Sequence, residues 1–337
     1  MSKYKVEVPK KMLAARQKEP GGPLRIEEVD VPLPKKGEVL VKMDSSPINP
    51  SDLALLTGGY VERNYPFIPG LEGSGTVLRS GGGIMAQLRK GKKVACSPNS
   101  GADGAWAEYM VTSVMHCAPL PRNISLEQGS MMLVNPMTVM AFILMAREGK
   151  HQAMVNNAAA SSLGKMLIRL SISRDIPLIN IVRKEEHVCA LKALGATHVL
   201  NSTSPNFEEE FSDIAQKLNA TLILDAVTGS QSANLLDAAP RGSTLVAYAR
   251  LSGDPLTADP RALITEEKKI VGFQLGNWLQ TKGLLFKLRF VNSVKKQLGN
   301  ELISHISLTY PLEHAGDAVS HYRAHMSEGK ILLKIGS

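Results

Sequence analysis

The sequence predicts an α/β protein with a partly open β-barrel in its first half and a doubly wound parallel sheet in its second half. The chain has 337 residues, more than the usual size of one domain. Residues 36–109 read as short strand-like segments separated by Gly and Pro. After Pro121, helical periods alternate with compact apolar runs, which is typical of a parallel sheet covered by helices.

Composition excludes several classes of protein. Hydrophobic residues make up 44% of the chain and charged residues 21%, as in ordinary globular proteins. No apolar run reaches the roughly 18 residues that a membrane helix needs, and the lysine-rich start lacks the apolar core of a signal peptide. We therefore expect a cytoplasmic protein that has no membrane partner.

Cysteine usage and charge add weaker constraints. Cys96, Cys117 and Cys189 are widely spaced, so neither a disulfide framework nor a Cys-x-x-Cys metal knuckle can be drawn. The formal net charge of +8 suits an anionic partner such as a nucleotide or acyl-CoA, and it suits simple solubility equally well. Because the lysines are scattered, no nucleic-acid partner is expected.

The first half of the chain is predicted to be mostly strands. Alternating apolar residues and Gly/Pro punctuation favour a β-barrel over helices. The predicted strands are 39–43, 75–78, 93–96 and 106–111.

The second half is predicted to contain a βαβ unit followed by further strands. A helix opens at Ser125 as capping residue, with apolar spacing that carries through Met131 and Met132. The βαβ unit then consists of a strand at 153–157, a tight turn at 158–164, a helix from 165 and a strand at 176–182. Later strands are predicted at 198–200, 221–225 and 244–248.

The turn of this βαβ unit is a candidate dinucleotide site. A typical fold of this kind has Gly-x-Gly-x-x-Gly, whereas only the last glycine, Gly164, is present here. Small residues still let the backbone approach a pyrophosphate, whose charge is favoured by free amides at a helix start. The alternative is a tight turn that binds nothing. The candidate cofactor residues are Asn157, Ala159, Ser161, Ser162, Leu163 and Gly164.

The end of the second strand of the unit bears on the choice of nicotinamide cofactor. An aspartate there would accept hydrogen bonds from the ribose of NAD, but this chain has Arg183 and Lys184. Two cations suit a 2′-phosphate, so NADPH is predicted. The alternative is that Arg183 is an ordinary solvated strand end.

Two short stretches resemble the substrate domain of the medium-chain dehydrogenase/reductase superfamily. They are Pro-Ile-Asn-Pro-Ser-Asp at 47–52 and Pro-Gly-Leu-Glu-Gly at 69–73. In the zinc alcohol dehydrogenases of that family, a cysteine stands where this chain has Asn49 and a histidine where it has Leu71. Neither side chain is a plausible zinc ligand, so a zinc-free reductase with no metal is expected.

The resemblance covers almost the whole chain and implies its domain organisation. It implies a GroES-like substrate domain at 1–123, an inserted Rossmann domain that binds NADPH at 124–278, and a return segment of the substrate domain at 279–337. The active site is expected in the cleft between them. A homodimer is expected by analogy.

Two zinc-free branches of the family are similar to this chain: the quinone oxidoreductases and the mitochondrial-type 2-enoyl thioester reductases. The turn from Asn157 to Gly164 looks more like that of the thioester reductases. By the same resemblance, Tyr60 falls at the position of the tyrosine that donates a proton or stabilises the enolate in those enzymes, and Asn49 shapes the same pocket. Tyr60 as rim packing stays open as an alternative.

Three further residues are candidates for the cofactor region. Thr138 is placed near the nicotinamide ribose by the resemblance. Tyr248 and Phe273, at the ends of later strands, are expected at the carboxyl edge of the sheet, where ligands bind. For all three, plain core packing is the alternative.

The predicted function is hydride transfer from NADPH to a quinone or to an activated, α,β-unsaturated double bond. One alternative is a 2-enoyl thioester reductase of fatty acid synthesis. An alternative of another class is a non-catalytic protein that binds NADPH or RNA. His321 and His325 share a helix face, but the sequence offers no third ligand at a sensible spacing, so a solvated helix is expected there.

Overall fold

The computed structural model describes residues 8–59 and 63–336. The chain divides into two compact units, one formed by Met1–Val134 with Ile303–Ser337 and the other by Asn135–Leu302. Residues 124–134 therefore lie with the first unit and residues 279–302 with the second, which differs from the boundaries expected at 123/124 and 278/279.

Local packing accounts for both differences. Helix α3 (Leu126–Ser130) packs against strands of the first unit, and α11 (Leu284–Gln297) packs on α4 (Asn135–Glu148) of the second. Apolar burial decides which unit a segment joins, and the resemblance alone did not show which surfaces these two helices cover.

The first unit is built on a seven-stranded sheet and a separate antiparallel pair. In the sheet, the pairing order is β14-β15-β3-β4-β5-β7, with β6 paired to β3. Strands β14 and β15 are parallel, and the other pairs are antiparallel. The strands are β1 (Lys11–Arg16), β2 (Arg25–Asp30), β3 (Glu38–Pro47), β4 (Gly73–Ser80), β5 (Lys93–Cys96), β6 (Tyr109–Ser113), β7 (Cys117–Pro119), β14 (Ile306–Pro311) and β15 (Lys330–Lys334).

This sheet is open. Its path ends at β14 on one side and β7 on the other, and no pairing closes it among residues 8–59 and 63–336. In place of the expected partly open barrel, the strands form an open sheet, and the core of this unit includes the fully buried Trp106. The remaining helices of this unit are α1 (Pro50–Leu56), α2 (Ile84–Arg89) and α12 (Ala315–Ala324), with 3-10 turns at Val114–His116 and Leu312–His314.

The second unit contains the predicted parallel sheet. All five strand pairs are parallel, in the order β10-β9-β8-β11-β12-β13. The strands are β8 (Ala153–Asn156), β9 (Leu178–Val182), β10 (His198–Asn201), β11 (Ala220–Asp225), β12 (Thr244–Ala247) and β13 (Lys269–Gly272). The other helices are α5 (Ser162–Ile172), α6 (Glu185–Ala193), α7 (Phe207–Leu218), α8 (Ser230–Ala238), α9 (Pro260–Thr265) and α10 (Leu275–Gln280).

Burial explains why the central strands read as apolar runs. Every residue of β8 and β9 is buried, because α4 packs with α5 and α7 with α8 to cover the sheet. The strand order reverses between β8 and β11, and crevices at the carboxyl ends of strands at such a point are where open α/β sheets bind ligands. The predicted doubly wound α/β architecture is confirmed.

One predicted helix is shorter than expected. Ser125 does cap α3, and its Oγ accepts a hydrogen bond from Gln128 N at 3.2 Å. The helix ends at Ser130, however, and Met131 and Met132 lie buried in the connection to α4. The apolar spacing of these two residues reflects the burial of their side chains and not a continuation of the helix. No helix in the described ranges is long and apolar enough to cross a membrane.

Candidate functional site

A buried group of charged and polar side chains lies in the first unit, where the family resemblance placed the substrate pocket. Asn49, Asp52, Glu72 and Lys330 are each at most 1% exposed. The Asn49 amide nitrogen donates to Glu72 Oε1 at 3.0 Å, and Lys330 Nζ donates to Asn49 Oδ1. We call these four residues the buried charge cluster.

Backbone amides satisfy the remaining carboxylate oxygens of the cluster. Asp52 accepts from Asn49 N at 2.8 Å and from Leu71 N at 3.0 Å. Glu72 Oε2 accepts from the amides of Leu133 and Val134 at 2.8 and 2.9 Å. Pro50 begins helix α1 and Asp52 lies in its first turn, so the local Asn-Pro-Ser-Asp sequence itself brings Asp52 back onto the Asn49 amide.

Desolvation dominates the ionisation of this cluster. Burial raises the pKa of Asp52 to about 7, although hydrogen bonds from Asn49 and Leu71 oppose that rise. Burial also raises the pKa of Glu72, against the attraction of Lys330. The ammonium of Lys330 responds in the opposite sense, because burial lowers its pKa to about 8 while Glu72 and Asp52 pull it upward.

The donor set does not fit a zinc ion. Asn49 and Leu71 stand where the zinc alcohol dehydrogenases of the family have their cysteine and histidine ligands. The side-chain oxygen of Asn49 already accepts a hydrogen bond from the ammonium group of Lys330. Burial raises the pKa of the Cys117 thiol to about 12 and raises that of the Cys96 thiol well above its usual value, so both thiols are held in the protonated form that binds metals poorly. No step of the chemistry proposed below passes through a metal.

The Asn49 side chain is fixed by the cluster. Both ends of its amide are bonded inside the first unit, and the side chain is fully buried. Lys330 is the residue that sequence reasoning missed. Its side chain meets Asn49 across 281 positions of sequence, and a lysine at the start of an apolar strand gives no local sign of burial.

In the second unit, the predicted turn joins β8 to α5 at the strand-order reversal. Ser161 caps α5, and its Oγ accepts from Gly164 N at 3.0 Å. The first amides of a helix have no partner within the helix, so those of Ser162 and Leu163 remain open to an anion. The side-chain nitrogen of Asn156, directly before the turn, is buried and has no hydrogen-bond partner in the part of the chain that the structure describes. These open donors fit a pyrophosphate.

Gly164 is the one glycine of the turn because a side chain cannot be placed there. A Cβ at this position would lie 2.4 Å from the carbonyl oxygen of Ala159 and 2.6 Å from that of Ala158. The helix therefore sits directly on the turn. Ala159 itself is fully buried, while Ser162 is half-buried.

The Asn157 side chain braces the neighbouring strand end. Its nitrogen donates to Asp225 Oδ1 at 2.6 Å, and its oxygen accepts from Ala226 N at 2.9 Å. Asp225 also accepts from Ser232 Oγ and from the amides of Val227 and Thr228. Asn157 was predicted to touch the cofactor, and both ends of its side-chain amide are hydrogen-bonded to this strand end. The strand end at Asp225 was predicted, but the brace was not.

The two cations after β9 differ in their partners. Lys184 Nζ forms an exposed ion pair with Glu186 at 3.2 Å. Arg183 is exposed and makes no hydrogen bond or ion pair with any described residue. Its guanidinium is thus free to meet an anion at the end of the strand adjoining the turn.

Tyr248 and Phe273 directly follow β12 and β13, at the carboxyl edge of the sheet as expected. Both rings pack on Phe142 of α4, each with 5.0 Å between ring centroids. Thr138 lies on the same helix, one turn before Phe142, and is buried. The hydroxyl of Tyr248 lies in a desolvated environment that raises its pKa, and the charge of Asp225 adds to that rise.

Tyr60, the predicted proton donor, lies outside the residues that the structure describes.

Comparisons with known proteins agree with this geometry. Residues 35–122 match the family model of the alcohol dehydrogenase GroES-like domain, and residues 162–288 match that of the zinc-binding dehydrogenases. The mitochondrial enoyl-[acyl-carrier-protein] reductase of Xenopus tropicalis is 29% identical over 290 residues, which cover 82% of this chain and 80% of the relative. That of Dictyostelium discoideum is 31% identical over 254 residues, covering 72% and 71%.

A solved structure agrees with these matches over almost the full length of this chain. The crystal structure of a candidate NADPH:quinone reductase from Mesorhizobium loti superposes with a TM-score of 0.88 at 30% identity, covering 98% of this chain and 100% of that one. Two domain models, relatives at about 30% identity and a full-length structural match lead to one conclusion. The chain belongs to the medium-chain dehydrogenase/reductase family.

Proposed function

We propose that this protein is an NADPH-dependent reductase that transfers hydride to a quinone or to a double bond conjugated with a carbonyl group. The proposal rests on the turn at the strand-order reversal. There α5 begins among small residues, and its first backbone amides can donate hydrogen bonds to an anion. When bound, NADPH supplies the hydride. The relatives named as NADPH:quinone and enoyl reductases support this reaction class.

Arg183 and Lys184 are proposed to select NADPH over NADH. Arg183 lacks a partner in the described chain, and a guanidinium binds phosphate through two parallel hydrogen bonds. The double variant Arg183→Ala with Lys184→Ala is expected to raise the KM for NADPH on the order of 10- to 100-fold and to leave that for NADH unchanged. Lys192→Ala, an exposed cation at the other end of α6, is the control. Equal changes for both cofactors would contradict the assignment.

A proton must reach the substrate when hydride adds to the β-carbon, because charge builds on the carbonyl oxygen. We propose Tyr60 as the donor, with no metal as Lewis acid. Tyr60→Phe is then expected to lower kcat on enone substrates by roughly 100- to 10,000-fold. Tyr65→Phe, at a tyrosine that packs against Phe67, should keep normal rates. Full activity of the Tyr60 variant on every substrate would refute the role.

A second candidate is a 2-enoyl thioester reductase of fatty acid synthesis. Several relatives at 27 to 31% identity are named enoyl-[acyl-carrier-protein] reductases, which favours it. One assay panel separates the candidates: NADPH and NADH, each with quinones, simple enones and crotonyl-type thioesters. Higher kcat/KM on thioesters selects the second candidate. NADPH binding without turnover of any acceptor would instead favour the non-catalytic alternative.

We also propose a cytoplasmic homodimer. Strand β13 is the last strand of the parallel sheet, and Val271 on it is 39% exposed, so its open edge can pair with a second copy. Light scattering after gel filtration should give the mass of a dimer. Val271→Lys is expected to shift the protein towards the monomer.

A further inference from the structure

Two histidines and a glutamate converge at the end of α12. His321 and His325 are four residues apart, and their ring centroids lie 4.6 Å apart with 33° between the ring planes. Glu328 follows in the turn before β15, with Oε1 at 2.7 Å from His325 Nδ1. One possible ligand atom from each residue lies within 4.8 Å of the other two.

The chemistry of this group matches a transition metal rather than Ca²⁺ or Mg²⁺. Two imidazoles and one carboxylate form the kind of ligand set that binds Zn²⁺, with a fourth position left for water. Ligand atoms at about 2.1 Å from a tetrahedral ion lie roughly 3.4 Å apart. His325 and Glu328 are exposed, so their side chains can rotate to reach that spacing around the half-buried His321.

A neighbouring strand orients the half-buried histidine. The Tyr310 hydroxyl on β14 lies 3.2 Å from His321 Nδ1. In the tautomer whose Nδ1–H donates to the tyrosine oxygen, Nε2 carries the lone pair for a metal. Metal-binding histidines usually have such an outer partner, which holds the ring in place.

We propose that His321, His325 and Glu328 form a binding site for a divalent transition metal, with Zn²⁺ as the ion that fits best. The sequence predicted a solvated helix because it offered no third ligand. The structure supplies Glu328, since the chain turns back after α12 ends at Ala324. A bound ion would tie the end of α12 to the turn that leads into β15 and its first residue, Lys330.

The start of α12 offers a matched control. His314 Nδ1 lies 2.9 Å from Asp317 Oδ2, which is the same pairing of imidazole and carboxylate, at the same spacing of three residues, that His325 makes with Glu328. This pair has no second imidazole beside it among the described residues. It tests whether a single histidine and acid are enough to bind the ion.

The test is calorimetric titration of tag-free, chelator-treated full-length protein with ZnCl₂. We expect one ion per chain, and at least tenfold weaker binding in His321→Ala, His325→Ala and Glu328→Gln. Tyr310→Phe should weaken binding by roughly tenfold, the low end for an outer partner. His314→Ala should bind as the wild type does.

Two further readouts keep the proposal independent of folding defects and of enzyme activity. Co²⁺ should give the intense visible absorption of a tetrahedral site in the wild type and in His314→Ala, but not in Glu328→Gln, whose exposed side chain can change without disturbing the core. Zn²⁺ should slow amide hydrogen exchange in residues 325–329. Absence of Zn²⁺ binding in the wild type, or equal binding in the His321, Glu328 and His314 variants, would overturn the proposal.

Discussion

The buried charge cluster of the first unit and the turn between β8 and α5 of the second both depart from their family's pattern, but in physically different ways. In the cluster, metal-ligand positions are taken by Asn49 and Leu71, and a lysine from the last strand brings a cation of its own. In the turn, glycines are replaced by Ala and Ser, and the donors stay open. The polar groups of the cluster are hydrogen-bonded within the protein, whereas the turn keeps donors available for a ligand.

The difference shows what each kind of change demands from the rest of the chain. Removing a metal ligand from a buried site leaves carboxylates that need a counter-charge, so Glu72 and Lys330 depend on each other. Replacing a glycine in the turn needs only steric room, and Gly164 is retained where a Cβ would meet backbone atoms. We therefore expect mutations in the cluster to cost stability first and mutations in the turn to affect cofactor binding as well.

The largest expected effect comes from Lys330→Met. This change removes the ammonium that faces Glu72 and leaves that carboxylate without a counter-charge in a buried site. We expect the free energy of unfolding to fall by about 3–5 kcal/mol, measured by urea titration. Adding Glu72→Gln should restore part of that loss, because it removes the carboxylate that has lost its counter-charge.

Lys334, on the same strand, provides the control for that prediction. Its ammonium pairs with Asp44 and Glu127 at 2.8 Å each, but the side chain is 37% exposed. Water screens such a pair, so Lys334→Met should cost about 1 kcal/mol or less. Equal losses in the two variants would mean that the buried cluster is no more sensitive than the surface.

The second prediction concerns pH. Because burial raises the pKa of Asp52 to about 7, the folded protein binds this proton more tightly than the unfolded chain does. Its contribution to stability is fully present below about pH 4 and is lost as the pH rises through 7, with an upper bound of about 4 kcal/mol for a pKa that rises from about 4 to about 7. Asp52→Asn should flatten that fall, as measured by unfolding at a series of pH values. Identical slopes for variant and wild type would contradict the raised pKa.

The third prediction tests the close contact in the turn. Gly164→Ala places a methyl group against two backbone carbonyls, so we expect a loss of about 1–3 kcal/mol and weaker NADPH binding. Gly316→Ala is the matched control, since that glycine is also in the first turn of a helix but has nothing within 4 Å of an added Cβ. It should leave stability unchanged or raise it by up to about 1 kcal/mol.

The sequence predicted what depends on neighbours along the chain. The parallel strands, the βαβ unit and the capping role of Ser125 follow from apolar runs and turn residues, and Lys93–Cys96 was predicted to the residue. It could not predict contacts made across the fold. Lys330 contacts Asn49 because β15 pairs with β3. Asn157 contacts Asp225 because the strands that end beside them are neighbours in the sheet. Glu328 contacts His325 only because the chain turns back after α12 ends. Such pairs carry no periodicity.

The smallest expected effect compares two equivalent helix caps, one in each unit. Ser161 and Ser125 have nearly identical backbones, with φ −66° and ψ 162° against φ −67° and ψ 161°, and each hydroxyl accepts from the amide three residues on. Each Ser→Ala change should cost about 1 kcal/mol of stability. Only Ser161→Ala should also raise the Kd for NADPH, by roughly two- to tenfold, because its hydroxyl hydrogen remains available to a pyrophosphate. Fluorescence titration with NADPH measures this, and an equal Kd change in both variants would mean that the two caps do not differ in function.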